Sequence, residues 1–299
     1  MRLIYINCGK FYYIFKVVTN RKAYKLLKIF NSMDPNNYKT IENFVKGFEK
    51  VDEIIKERNP DCIIAPMFGA IPFIDVLNII NEEFPNEKVE YVPASNKIYR
   101  VKDVLRGAFE NLISKHYSED GTDFLSLDEI VSGNSLVRVQ KQFEAAKQDY
   151  ANKKTIEFFG DETDFTLPNI KAFRDLRLNL IRYNTVGIVD SKMKRFSRSK
   201  NKSYHELLGR GIVIPIEIDN IVTMDRTDYF PAKYKQTKDS EGKNLYLPVV
   251  DEFRIENNYV DFLTTVSEIL GKDSSNVTVR NIGKIRDSYK LVPENLRKI

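Results

Sequence analysis

Cysteine and histidine are nearly missing from this chain. Its 299 residues hold two of each, Cys8 and Cys62, His116 and His205, all distant from one another in sequence. A structural zinc site draws on four closely spaced Cys or His ligands, so zinc is not expected to build this fold. The same scarcity leaves no Cys-His or Ser-His constellation to support covalent catalysis. So little cysteine fits a reducing compartment, and a cytoplasmic location is expected. Long apolar runs are also lacking. Lys10 and Lys16 interrupt the hydrophobic N-terminal segment, so no membrane span is expected. Residues 1–8 have neither the apolar stretch nor the small-residue cleavage site of a signal peptide. Repeats, low-complexity tracts and clear linkers are absent.

What is present suits a folded domain. Hydrophobic residues make up 42% of the chain, enough for a core and too many for global disorder. A net charge of +5 is mildly basic. It does not by itself define a nucleic-acid binder, and it would equally attract phosphorylated small molecules.

Apolar periodicity gives the element order. Residues 3–7 and 11–18 read as a hairpin around Gly9, and 21–30 and 38–58 as helices. From residue 59 strands and helices alternate: strand 61–65, helix 73–84, strand 89–93. A polar insertion follows at 96–121, with some helix at 101–116. Then come a strand ending at Asp128 and a helix over 134–150. Beyond it, 155–159 reads as a strand, 170–183 as a helix, 185–190 and 211–218 as strands, and 258–270 as a helix. Such alternation implies a parallel sheet covered on both faces. Ligands on such sheets bind beyond the carboxyl ends of the strands.

One strand end stands out. In Phe124-Leu125-Ser126-Leu127-Asp128-Glu129-Ile130-Val131-Ser132-Gly133-Asn134-Ser135 an apolar strand runs into two carboxylates, a small-residue turn and a helix. Backbone N–H groups of such a turn and of the helix N-terminus can hold a phosphate. Gly133 permits a tight backbone and the serine hydroxyls add donors. The carboxylates can accept from ribose hydroxyls or help hold Mg²⁺. The bland alternative is a strand end with two solvated acids and an ordinary cap at Ser132 or Asn134.

The stretch resembles the PRPP-binding signature of the type I phosphoribosyltransferases: an apolar strand, two acids, small or apolar residues, then Thr-Gly-x-Thr. Serine replaces threonine at both ends here and keeps the hydroxyl. The resemblance implies that Asp128 and Glu129 contact the ribose and Mg²⁺ and act in catalysis. It implies that Ser132, Gly133, Asn134 and Ser135 bind the 5′-phosphate. The segment 61–72 resembles the pyrophosphate loop of the same family, with Gly69 and Pro72 matching and Ala70 at the second glycine. The family's basic residue is replaced by Phe68, which bears on turnover more than on binding. Taken alone, this segment is equally an ordinary strand-to-helix connection. The insertion corresponds to the family's mobile loop, and Lys97, Arg100, Lys102 or Arg106 could supply the missing cation. A solvated charged helix face is the plainer reading of each. The resemblance covers residues 59–150.

The expectation is therefore an α/β, phosphoribosyltransferase-like fold with a parallel sheet flanked by helices. Residues 1–58 would form an N-terminal hairpin and helix extension packed on the core, and 59–245 the main domain. Residues 246–299 would be a C-terminal helical elaboration, with membership of the core left open. The implied activity is pentosyl transfer: PRPP or a nucleotide binds with Mg²⁺, and phosphoribose passes to or from a nucleobase. Asp225, Asp228, Tyr229 and Phe230 are candidates for reading that base, against a surface loop with an aromatic anchor.

The run 192–202 carries six Lys or Arg residues, no acid, and Phe196 among them. Lys194, Arg195 and Arg198 could contact a nucleic-acid backbone, or the run is a solvated loop. Hence the rival readings: a non-turning sensor of PRPP or nucleotides, a nucleic-acid-associated effector in bacterial stress or defence, or a toxin that hydrolyses nucleotides. A homo-oligomer or membership of a complex is expected.

Overall fold

The computed structural model describes residues 3–8, 11–16, 38–67, 69–94, 101–160, 166–191, 201–219, 221, 233–238, 244–249 and 257–274. The helix read at 21–30 and the base-reading candidates Asp225, Asp228, Tyr229 and Phe230 lie outside them.

At the N-terminus β1 (Leu3–Cys8) and β2 (Phe11–Lys16) pair antiparallel, the hairpin expected from their β-branched and aromatic residues. Helix α1 (Tyr38–Arg58) follows. The central unit is β3 (Cys62–Met67), α2 (Ile71–Ile80), β4 (Val89–Pro93), α3 (Val101–His116), β5 (Thr122–Glu129), α4 (Asn134–Phe159), α5 (Leu167–Leu180), β6 (Ile181–Asp190), α6 (Lys202–Gly209) and β7 (Val213–Ile218). The five strands form one all-parallel sheet in the order β4-β3-β5-β6-β7. After it, β8 (Lys233–Lys238) and β9 (Asn244–Val249) form an antiparallel pair, and α7 (Asn257–Ile269) closes the described chain.

Both faces of the sheet are covered, as the near-continuous burial of β3 and β5 requires. On one face α1 lays down Ile41, Phe44, Phe48, Val51 and Ile55, spaced three and four apart. They pack with α2, α7 and the strand residues Ile63, Leu125, Val186 and Ile218. Phe48 lies 5.0 Å from Phe73, and Phe44 meets Phe262 edge-on at 6.0 Å. On the other face Cys62, Ile64, Phe124 and Tyr183 pack under Phe109 of α3 and Phe143 of α4. Phe143 lies 5.3 Å from Phe109 and 4.3 Å from Tyr183.

Three expectations are corrected. Residues 155–159 are the last turns of α4 and not a strand. Their β-branched and aromatic content suggested a strand, but Thr155 is buried beside Ala151 and donates to its carbonyl at 2.7 Å, as a helix allows. The helix expected at 101–116 is α3, with those bounds, but it is not a polar excursion, because it buries Val104, Leu105, Ala108, Phe109, Leu112 and Ile113. The chain passes from α5 into β6 at Ile181, so the strand starts four residues before 185 and the helix ends before 183.

Asp75 of α2 is buried and accepts a hydrogen bond from the Tyr259 hydroxyl of α7. Burial pushes its carboxyl up to about 7, partly offset by that bond. Below about pH 4 the side chain is neutral whether the chain is folded or not. Between pH 4 and 7 the unfolded chain gives up this proton and the folded chain keeps it, so this group makes stability fall as pH rises through that window. Asp75→Asn, which can still accept from Tyr259, is expected to melt above the wild type at pH 8 by several degrees, on the order of 2–4 °C per kcal/mol recovered. The gap should close at pH 4. A gap that is unchanged across that range in thermal melts would remove the assignment.

Candidate functional site

The order β4-β3-β5-β6-β7 reverses direction between β3 and β5. The chain leaves β3 toward β4 on one side and returns to β5 on the other. Such a topological switch point leaves a crevice beyond the carboxyl ends of the two central strands. The register shows where they part. β3 stays paired with β4 to Met67↔Pro93, and β5 with β6 to Glu129↔Ile188, but β3 and β5 pair only as far as Ile64↔Ser126. Over residues 65–67 and 127–129, about 10 Å of strand, the ladder between them is missing. The loop with Gly69 and Ala70 follows β3, and the loop 130–133 follows β5. The two segments singled out in the sequence thus flank one crevice.

Asp128 and Glu129 differ in setting. Adjacent strand residues point to opposite faces. Asp128 shares its face with Phe124 and Ser126 and is 9% exposed, while Glu129 is half-buried. The Asp128 Oδ2 atom makes no hydrogen bond among the described residues. Burial first, and then the Glu129 charge, raise its carboxyl to about 7, against a backbone bond from Glu129 and the Arg138 charge, which pull it down. A carboxyl kept from water beside another acid is a common mark of a binding or catalytic site.

The turn after the acids is built as a cradle. Gly133 has φ 74° and ψ −3°, left-handed geometry that disfavours other residues, and caps α4. A Cβ there would also stand 2.9 Å from Cβ of Tyr204. The Ser132 hydroxyl accepts from the Asn134 N–H at 3.4 Å. Asn201, which the sequence reading missed, ties this turn to α6. Its Nδ2 donates to the Ser132 carbonyl at 2.9 Å and to Asn134 Oδ1 at 3.0 Å, while its Oδ1 accepts from the Tyr204 N–H at 3.1 Å. Asn before an apolar-periodic stretch is an N-cap signal, so α6 was open to detection.

Arg138 was also missed, although it lies one helical turn beyond Ser135. It is half-buried, and Nη2 donates to the Ala94 carbonyl at 2.9 Å and to the Ser135 hydroxyl at 3.4 Å. Burial lowers its pKa and the Asp128 charge raises it.

The first loop is plainer. Ala70 is fully buried, its N–H bonded to the Pro66 carbonyl at 3.2 Å and its carbonyl to the Ile74 N–H at 3.1 Å, so it presents no free group to a ligand. Gly69 is exposed, and a Cβ added to it would touch nothing within 4 Å. Among the other candidates Arg106 is engaged by Asp149 and Glu110, so it belongs to the pairing of α3 with α4. Lys97 and Arg100 lie outside the described residues, as do Lys194, Arg195 and Arg198. The basic run nonetheless leaves from Ser191 after β6 and returns at Asn201, on the turn itself.

Among the described residues no three His, Cys, Asp or Glu side chains converge as a metal cage. Mg²⁺ is commonly held by one or two carboxylates with substrate phosphates completing the shell, which suits Asp128 and Glu129. Their oxygens would neutralise the ion, and the ion would screen phosphate charge. No described helix is long and apolar enough to cross a membrane.

The fold and crevice define an α/β protein with a five-stranded parallel sheet flanked by helices. Comparison of the chain with protein-family models, curated proteins and solved structures finds no match.

Proposed function

We propose that this chain is a phosphoribosyltransferase-like protein that binds PRPP or a nucleotide with Mg²⁺ and transfers phosphoribose to or from a nucleobase. One observation carries the reading. The turn 132–135 and the loop at 69–70 follow neighbouring strands at the switch point, where the ladder between those strands stops. A ligand with a phosphate at each end of a ribose calls for two such loops.

In this reading the 5′-phosphate lies on the N–H groups of the Gly133 turn and the start of α4. Asp128 and Glu129, side by side at the end of β5 though on opposite faces of it, would contact the ribose and help hold Mg²⁺. A base nitrogen attacks C1, the bond from C1 to pyrophosphate oxygen breaks, and the electron pair leaves with pyrophosphate. Carboxylates close to C1 favour the oxocarbenium-like charge that develops. Phe68, where a cation is expected, favours a second reading, a sensor that binds the ligand without turnover. Self-association or a protein partner is supported by apolar residues left exposed on α4 and α5, Ile156, Phe158, Leu167 and Leu176.

Calorimetric titration with PRPP and Mg²⁺ tests the proposal. Saturable binding is expected, and Asp128→Asn with Glu129→Gln should weaken it with the fold intact. Equal affinity in the double variant would remove the site. Pyrophosphate release with a nucleobase then marks a transferase, binding alone a sensor, and nucleotide hydrolysis a toxin-like activity.

A further inference from the structure

We infer that Arg138 is the cation of this crevice, and that its guanidinium receives the pyrophosphate of a 1-pyrophosphorylated ribose 5-phosphate. The inference rests on the phosphoribosyl reading above and narrows its substrate class to ligands that carry pyrophosphate.

The loop after β3 has no positive charge. From 66 to 72 it reads Pro-Met-Phe-Gly-Ala-Ile-Pro. Arg106 is taken up by Asp149. Arg138 starts from the first turns of α4, on the β5 side of β3, and donates to the Ala94 carbonyl just past the end of β4, on the other side. In the sheet order β4-β3-β5 these two anchor points belong to elements on either side of β3, the strand from whose end the Gly69-Ala70 loop departs. Its bond to Ser135 Oγ fixes it to the phosphate turn at the same time.

The chemistry matches the placement. A guanidinium offers five N–H donors in a planar fork that fits phosphate oxygens two at a time. It stays charged when half-buried. During transfer the C1–O bond breaks and its electron pair moves onto pyrophosphate. A fixed cation at that oxygen stabilises the departing charge without giving up a proton. The acid on the ribose side, Asp128, attracts the guanidinium and keeps it at the crevice.

The experiment divides the ligand into its parts. The full chain is titrated with Mg²⁺-pyrophosphate, with ribose 5-phosphate, and with Mg²⁺-PRPP, beside Arg138→Gln and Arg138→Lys. Wild type should bind all three. Arg138→Gln should weaken pyrophosphate and PRPP by about 10- to 100-fold, the range for a hydrogen bond to a charged group, and leave ribose 5-phosphate unchanged. Arg138→Lys keeps the charge without the fork and should fall between them. Unchanged pyrophosphate affinity in Arg138→Gln overturns the assignment. So does an equal loss for ribose 5-phosphate, which would make Arg138 a brace for Ser135 and the phosphate turn. If the Gln variant does not fold, the Lys variant decides by the same criterion. Wild type that binds neither ribose 5-phosphate nor PRPP would sink the phosphoribosyl reading and this inference with it. Wild-type binding with an indifferent Arg138→Gln would sink this inference alone.

Discussion

Asp128→Asn should make the protein more stable at pH 8 and weaken its binding of Mg²⁺-PRPP. The two effects share one cause. The folded chain holds this carboxyl in a buried position beside Glu129, which lifts it to about 7. An unfolded chain ionises near pH 4. Between those values the unfolded chain binds fewer protons than the folded one, so the contribution of Asp128 to stability declines as pH rises from 4 to 7 and is flat above. Asparagine removes the penalty of ionising a buried group, on the order of a few kcal/mol at pH 8, and melting should rise by several degrees. On the proposed reading only the ionised carboxyl would serve Mg²⁺, so wild-type affinity should fall roughly tenfold per pH unit below 7. A residue whose removal stabilises the fold is being kept for function. Melting temperature and PRPP affinity across pH 5 to 8 check both halves. A variant that melts lower at pH 8, or that binds as the wild type does, would contradict them.

Much of this arrangement was legible in the sequence, for identifiable reasons. Helix α1 was read to its ends because its apolar residues recur without interruption along one face. Strand β5 and the acidic pair were read because an apolar run that stops at two carboxylates marks where a buried strand reaches the edge of the core. The misreadings fall where local composition and tertiary setting disagree. Thr155, Ile156, Phe158 and Phe159 favour strand individually, yet α4 continues through them because Thr155 buries against the preceding turn, Phe173 of α5 stacks on Phe158 at 4.5 Å, and Phe159 meets it at 5.0 Å. Helix α3 looked polar because Lys102, Asp103, Arg106, Glu110 and Lys115 are spread along its length, while six buried apolar residues carry its packing.

The site itself divides the same way. Its backbone parts were visible, since glycine and small residues after a strand point to a turn and a helix start. Its long-range parts were not. Arg138 acquires its position from Ala94, and Asn201 from Ser132, contacts spanning 44 and 69 residues. No local pattern encodes such pairings. The basic run gains a setting by the same route. Read alone it was a charge cluster without a location, but Asn201 at its end is hydrogen-bonded to the turn that follows the acidic pair.

The shape of the turn depends on a glycine that no motif marks. Gly187 of β6 is paired with Asp128, and a Cβ there would fall 2.0 Å from Cδ1 of Ile130 and 2.9 Å from its Cγ1. Ile130 is buried, its N–H bonds the Ile188 carbonyl at 2.8 Å, and it opens the loop to Ser132. Gly187→Ala should therefore cost about 1–3 kcal/mol by overpacking, and weaken PRPP binding by displacing the turn. Ile130→Ala should cost about 2–5 kcal/mol through the gap it leaves. Together the two changes exchange volume, since the new methyl group enters the space that the isoleucine vacates. The double variant should lose less than the sum of the single losses, by about 0.5–3 kcal/mol in a double-mutant cycle measured by urea unfolding. Strict additivity would mean that the two positions do not meet as described. Recovery of stability without recovery of PRPP affinity would separate packing from function, because a turn seated by alanine at 130 is stable but no longer holds Ser132 and Gly133 where the phosphate needs them.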